Sequence, residues 1–422
     1  MKISINGIQL LQVTALFLGV YSFGNFGLTN YYGLKIYFEI IAIALAIISI
    51  YGLKISRAKI PLLLLFSIMI LPYIVGITLS VSYTYFITGS IIWFFSVVTL
   101  SISDSAIMAL IRSITFFSVL LCFFVLVAYV LYIYNIYDYS ASTGSNFDSR
   151  NAFRTIYPAN IADILSFVSG GGSTFNIDAP FRMRGYSTEP SASIVHYLAP
   201  VALGLLFYKS KFILLALFML AVNVFFISSF LGIIIILSSL GVFLLLLMPE
   251  LIRRATMILI VTSILVMSTN TELLINAMYQ FASFTNDRLD ADSFTKFFQS
   301  PQIRTAAIRD SIDSVITSPF GGSYVGLTGV IFAFAAGGGL VAGLIYTWLL
   351  YKIITMIMKL FYFSNFSERC ALALSVSLLL YSSLVSSYGW ISVPGAIFMI
   401  VLYRIVLIET AKKVKLQTQA FY

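Results

Sequence analysis

The residues with most to offer chemically stand in one short stretch, Phe181 to Pro200, reading FRMRGYSTEPSASIVHYLAP. Arg182 and Arg184 precede Gly185, Glu189 and Pro190, and the only histidine of the chain, His196, follows. Two planar guanidiniums beside a helix amino terminus form a receptor for a phosphate or diphosphate, because the forked donors and the terminal N–H groups all favour an anion. Glu189 is a candidate general base, although the same terminus stabilises its carboxylate and lowers its basicity. His196 lies seven positions on, two turns deeper on the same helical face and about 10 Å along the axis. An ionisable group inside a membrane helix is a functional candidate by default. Plainer readings stand beside these. Pro190 suits the first turn of a helix that Thr188 or Glu189 would cap, arginines at helix ends anchor at interfaces, and a lone histidine often only packs.

A second set, Arg304 and Arg309, falls on a predicted amphipathic helix from Gln302 to Thr317. Ile303, Ala307, Ile308, Ile312, Val315 and Ile316 share one side of it, and Pro319-Phe320-Gly321-Gly322 stops it. Arginines on such a surface commonly meet lipid headgroups. Two separate loops presenting arginines could instead clamp one lipid-linked diphosphate between them. Elsewhere the expected roles are structural: Gly337-Gly338-Gly339 with Gly343 reads as small-residue helix packing inside one apolar span, Lys35 and Glu39 as a pair one turn apart, and Asp104 as a loop acid.

Membrane helices must position these groups. Of 422 residues, 60% are hydrophobic and only 10% charged, and mean hydropathy is +1.00. Apolar runs recur from end to end without strict alternation, so backbone hydrogen bonds are satisfied within helices and not in a barrel. Cys122 and Cys370 are far apart, with no spacing that suggests a disulfide or a metal site. The runs predict about twelve spans, near 8–23, 34–53, 61–80, 85–101, 113–135, 191–208, 212–227, 231–248, 255–270, 329–351, 370–387 and 392–408. The long run from Phe212 to Met248 is divided at Ser228-Ser229.

With the amino terminus inside, most of the 25 basic residues fall in short inner loops or the tail, among them Lys54, Arg112, Lys209, Arg253, Lys359 and Lys412. This follows the positive-inside rule and accounts for a net charge of +9 without nucleic acid. Residues 1–135 hold the first five helices, 191–270 the next four, and 329–422 the last three with a cytoplasmic tail. The intervening 136–190 and 271–328 are long polar loops on the outer face, where function is expected.

The stretch RMRGYSTEPSAS resembles the R-x-x-G-x-x-x-E-P-S signature of bacterial O-antigen and capsular polysaccharide repeat-unit polymerases, in the O-antigen ligase superfamily, through Arg182, Gly185, Glu189, Pro190 and Ser191. Arg304, a helix and then Pro319-Phe320-Gly321 resemble a second element of the same superfamily. Ser228 to Gly232 is similar to its serine-arginine turn, with Phe230 where arginine is usual. The resemblance implies an all-α integral membrane fold, GT-C-like, with two large periplasmic loops, in the bacterial inner membrane. It implies an inverting glycosyltransferase that moves a glycan from undecaprenyl diphosphate onto another lipid-linked repeat unit. Glu189 or His196 would take the acceptor proton, and Arg182, Arg184, Arg304 and Arg309 would hold the diphosphate. Membrane lipid and a chain-length regulator are the expected partners. No cofactor or metal is expected, because neither outer loop carries a carboxylate pair with metal-site spacing. The alternatives are an O-antigen ligase, disfavoured because the second loop lacks that group's histidine, and a lipid-linked oligosaccharide flippase or other transporter, which would show broken helices near the midplane.

Overall fold

The structure is a computed structural model that describes residues 6–23, 35–50, 60–80, 84–134, 194–227, 230–249, 252, 309–310, 312–322, 329–384 and 392–420. Nearly all of these are helical, with no strand among them. The helices are α1 (Gly7–Ser22), α2 (Lys35–Ile50), α3 (Ile60–Ser80), α4 (Thr84–Ser101), α5 (Asp104–Ile133), α6 (Ile194–Tyr208), α7 (Ile213–Ala221), α8 (Phe230–Leu247), α9 (Val330–Tyr362), α10 (Phe366–Leu384) and α11 (Val393–Ala420). By length and composition alone four stretches are long and apolar enough to cross a membrane, Asp104–Val127, His196–Val224, Val330–Tyr362 and Val393–Lys413, and two of these are divided by reversals at Lys209 and Gly339. Shorter apolar helices flank them, and Ile36, Ile40, Ile47 and Ile48 of α2 stand exposed. That face belongs in lipid. The chain is a helical membrane protein.

Lipid gives helices no hydrophobic reason to associate, so close approach through small residues holds the bundle. Gly19 of α1 lies so near the Phe95 ring that a Cβ there would come within 2.8 Å of it. Gly89 of α4 meets Ile74 of α3, where a Cβ would come within 2.5 Å. Hydroxyls of Ser96, Thr99 and Ser375 bond back to carbonyls four residues earlier, which hides polar groups from hydrocarbon.

One end of the bundle is polar and basic. Asn6 caps α1 reciprocally with Gln9, and Gln9 reaches Ser103 at 2.9 Å in the turn between α4 and α5. The α5 helix starts at Asp104 and not near 113, because Ser103 receives the Ala106 N–H and Asp104 sits in the positive first turn. The expected loop is therefore a tight turn, and Asp104 is more than a loop acid. It pairs with Arg404 of α11, which is 4% exposed and also donates to the carbonyls of Leu100 at 2.9 Å and Ile102 at 3.1 Å. A buried guanidinium needs this full set of acceptors.

At the same end, Asn365 and Glu368 form a capping box for α10, with Glu368 N–H to Asn365 Oδ1 at 3.0 Å and Asn365 N–H to Glu368 Oε2 at 3.1 Å. Lys413 Nζ lies 2.7 Å and Lys209 Nζ 3.1 Å from the same carboxylate. Burial opposes the charge, but the two ammoniums and the Asn365 N–H outweigh it and hold the Glu368 carboxyl below its usual range. Folding thus favours the ionised form. Its stabilisation is present above the unfolded pKa and is lost as pH falls through the lower folded value. The purified protein should melt at progressively lower temperature on acidification below the ordinary carboxylate range. Glu368→Gln should melt lower than wild type at neutral pH and show a flatter dependence, and identical pH profiles would remove the clasp as a stabilising element.

Lys209 has φ +56, in the left-handed region, and opens a short 3-10 turn, Lys209–Phe212. The Phe212 ring consequently presses on Gly204, eight positions back and about 12 Å away in a straight helix. The chain reverses here, as the lysines at 209 and 211 predicted. After α7, a π-helix, Val222–Ile227, ends just before the predicted division, and α8 begins just after it. The predicted span at 255–270 lies outside the described residues.

The largest departure is in α9. Gly339 has φ 83 and ψ 169, a conformation nearly exclusive to glycine. Phe334 and Tyr346, twelve positions apart and roughly 18 Å in a straight helix, stack at 5.4 Å between centroids. Residues 330–338 therefore form a half-helix folded back on the limb 340–362, not the first turns of one span. Ala335 closes against Gly343, so the small residues do pack helices, but across a reversal. The turn that stops the 312–317 helix supplies what the break removes: Pro319 O accepts from Leu340 N–H at 2.8 Å and Gly322 N–H donates to Gly337 O at 3.0 Å. Gly321 and Gly322 have φ 89 and 102, which lets that backbone come so close.

Candidate functional site

Pro200 interrupts α6 at a telling place. A proline has no N–H, so the carbonyl four residues earlier, that of His196, loses its helical donor. The Ser118 hydroxyl of α5 donates to that carbonyl instead, at 2.9 Å. The Tyr21 hydroxyl of α1 lies 2.9 Å from Ser118 Oγ, so three helices meet at one buried polar node.

The His196 side chain completes the node. It is 6% exposed, with Nε2 3.0 Å from the Val20 carbonyl. A carbonyl only accepts, so Nε2 carries the proton. Its ring lies 5.7 Å from Tyr21 and 6.3 Å from Phe398, centroid to centroid. An imidazole committed to a main-chain carbonyl and enclosed by rings fixes the entry of α6 against α1 and α11. Its geometry suits positioning.

Ser118→Ala should orphan the His196 carbonyl and lower stability by about 1–3 kcal/mol. In Pro200→Ala the new N–H restores the helical bond, so adding Ser118→Ala on that background should cost much less. Thermal unfolding of the four proteins in detergent measures the coupling. Additive losses would mean that the serine does not stand in for the missing N–H.

Arg182, Arg184, Glu189 and Arg304 lie outside the described residues. Arg309 is exposed and helical, and Ile312 and Ile316 of the described segment that follows are also exposed. The turn after that segment is firmly placed by its bonds to residues 337 and 340.

The contacts fix which end each element occupies. Gln12 of α1 donates to the Ser49 carbonyl at the close of α2, and Arg404 joins the close of α4, both at the basic end. Val20, Ile74 and Gly89 face the other way, and with them go the first turn of α6 and the Pro319–Gly322 turn beside Gly76. The described entrances from both long loops therefore meet the bundle at one end, opposite the lysines. Sequence reasoning singled out His196 and Pro319–Gly322 but missed Tyr21 and Ser118. Proline four residues after a histidine was the available signal, since it announces a carbonyl in need of a donor. Compared with family models, curated proteins and solved structures, the chain matches none.

Proposed function

We propose that this chain is a repeat-unit polymerase of bacterial O-antigen or capsule, a glycosyltransferase of the inner membrane with its active site toward the periplasm and about twelve spans. The observation that carries this reading is the common end of the bundle shared by the entrance of α6, which follows Arg182 to Ser191, and the turn that closes the loop holding Arg304 and Arg309. The basic residues at the opposite end support a cytoplasmic assignment there.

In this mechanism an acceptor sugar hydroxyl attacks the anomeric carbon of a glycan on undecaprenyl diphosphate. The new C–O bond forms as the bond to the diphosphate breaks, and the hydroxyl proton passes to the Glu189 carboxylate. Arg182, Arg184, Arg304 and Arg309 take up the charge that grows on the departing diphosphate. His196 positions α6 beneath them. Glu189→Gln should accordingly lose more polymerising activity than His196→Gln, measured as polymer formed in complemented cells at equal protein level. The reverse order would transfer the proton to the histidine.

The turn at Gly339 favours a second reading, a lipid-linked oligosaccharide transporter, since transporters build sites from discontinuous helices. Deleting the gene and resolving surface polysaccharide on a gel separates the two. A lost ladder with a single capped repeat retained fits a polymerase, lost capping with accumulated lipid-linked polymer fits a ligase, and loss of all surface glycan with repeat units trapped inside fits a transporter. An unchanged ladder would sink all three.

A further inference from the structure

A groove of about 210 Å3 runs between α3, α4, the limb 340–362 of α9 and α11. Its walls are apolar: Phe66 and Met69 from α3, Leu349 and Ile353 from α9, Met399 and Ile400 from α11. Phe66, Met69, Tyr346 and Met399 also line a smaller recess of about 30 Å3 that continues to Tyr73, Gly89 and Phe334. The two form one apolar track leading toward the half-helix. The Tyr346 hydroxyl is engaged by Ser383 Oγ at 3.0 Å and lies 3.8 Å from Met399 Sδ.

Its mouth is different. Lys352 lines the groove there with its ammonium 5.4 Å from the centre of the Trp348 ring, and both side chains are exposed. Lys352 forms no ion pair among the described residues. Leu62 and Leu100 fix the level: this is the basic end of the bundle, beside the turn that Arg404 holds. A tryptophan and a lysine at such a level mark the boundary between headgroups and hydrocarbon. From Lys352 to Tyr346 is about 9 Å along the helix, and the recess beyond brings the track to the ~15 Å depth of one leaflet's hydrocarbon.

We propose that this groove binds one acyl chain of an anionic glycerophospholipid from the leaflet at the basic end, with the lipid phosphate on Lys352. The charge pattern selects this occupant. A cation with no counter-ion among the described residues at the mouth calls for a negative head, and the predominantly apolar track calls for an unbranched, flexible tail that Met69, Met356 and Met399 can adapt to. The mouth opens at the end opposite the α6 entrance, so this lipid is distinct from a donor whose diphosphate would be held there. The inference does not depend on the proposed reaction.

Native mass spectrometry of the protein released from mild detergent tests it, followed by titration with phosphatidylglycerol or phosphatidylcholine and thermal unfolding at each step. Wild type should retain anionic phospholipid, and phosphatidylglycerol should stabilise it at concentrations at which phosphatidylcholine does not. Lys352→Glu should weaken phosphatidylglycerol at least about tenfold, as expected for reversing a charge that pairs with phosphate. Met399→Trp should abolish retention by filling the track; if that variant fails to fold, Lys352→Glu decides alone. Equal response to the two lipids, an unchanged Lys352→Glu, or a retained polyprenyl phosphate in place of phospholipid would each overturn the proposal.

Discussion

Arg182→Lys and Arg304→Lys are each expected to insert and accumulate as wild type does, yet to polymerise about 30- to 1000-fold more slowly. Lysine keeps the positive charge but loses the planar fork that meets two phosphate oxygens at once. A donor aimed at a leaving group matters most when charge has developed on it. Losing one should therefore cost roughly 2–4 kcal/mol in the transition state and little in membrane insertion. If the two arginines grip one diphosphate from two loops, their effects are not independent. The double variant should then be little worse than either single one. Polymer length and amount on gels, at matched protein level, give the result. Two lysine variants with wild-type polymer would reduce both arginines to interfacial anchors and end the clamp.

Gly339→Ala and Gly76→Ala are expected to be among the most damaging methyl additions in the described bundle. At 339 the new side chain meets a backbone conformation that costs about 1–3 kcal/mol without glycine, and its Cβ would lie 2.7 Å from the Phe320 carbonyl carbon. At Gly76 the methyl would fall onto the Gly337 carbonyl oxygen, the atom that receives Gly322 N–H. Overpacking adds about 1–3 kcal/mol, so each variant should lose several-fold more stability than an ordinary alanine. Gly241→Ala is the control, since nothing lies within 4 Å of a Cβ there, and a helical glycine replaced by alanine should be neutral or stabilising. Thermal unfolding in detergent compares the three. If Gly339→Ala were as stable as Gly241→Ala, the reversal of α9 would be wrong, and with it the common end for the two loop entrances.

Sequence alone determined that this is a membrane protein built of helices, because the length of an apolar run and the need to satisfy backbone hydrogen bonds are local properties. It also located most described helix ends within a few residues, the reversal at Lys209-Ser210-Lys211 and the stop at Pro319–Gly322, each marked by charge, proline or glycine. The chemistry proposed for Arg182, Arg184, Glu189 and Arg304 rests on their types and spacing. What sequence left open were choices made by partners far away in the chain. Asp104 reads as a loop acid until Arg404, three hundred positions on, arrives beside it. The glycines from 337 to 339 allow either a tightly packed straight helix or a reversal, and the turn at 319–322 decided for the reversal by offering a carbonyl and an N–H to the broken backbone. His196 could be a base or a fastener while its neighbours are unknown. Tertiary structure placed a carbonyl of α1 against its Nε2 and a serine of α5 against its own carbonyl, and hydrogen-bond partners, unlike helical periodicity, cannot be read from one segment at a time.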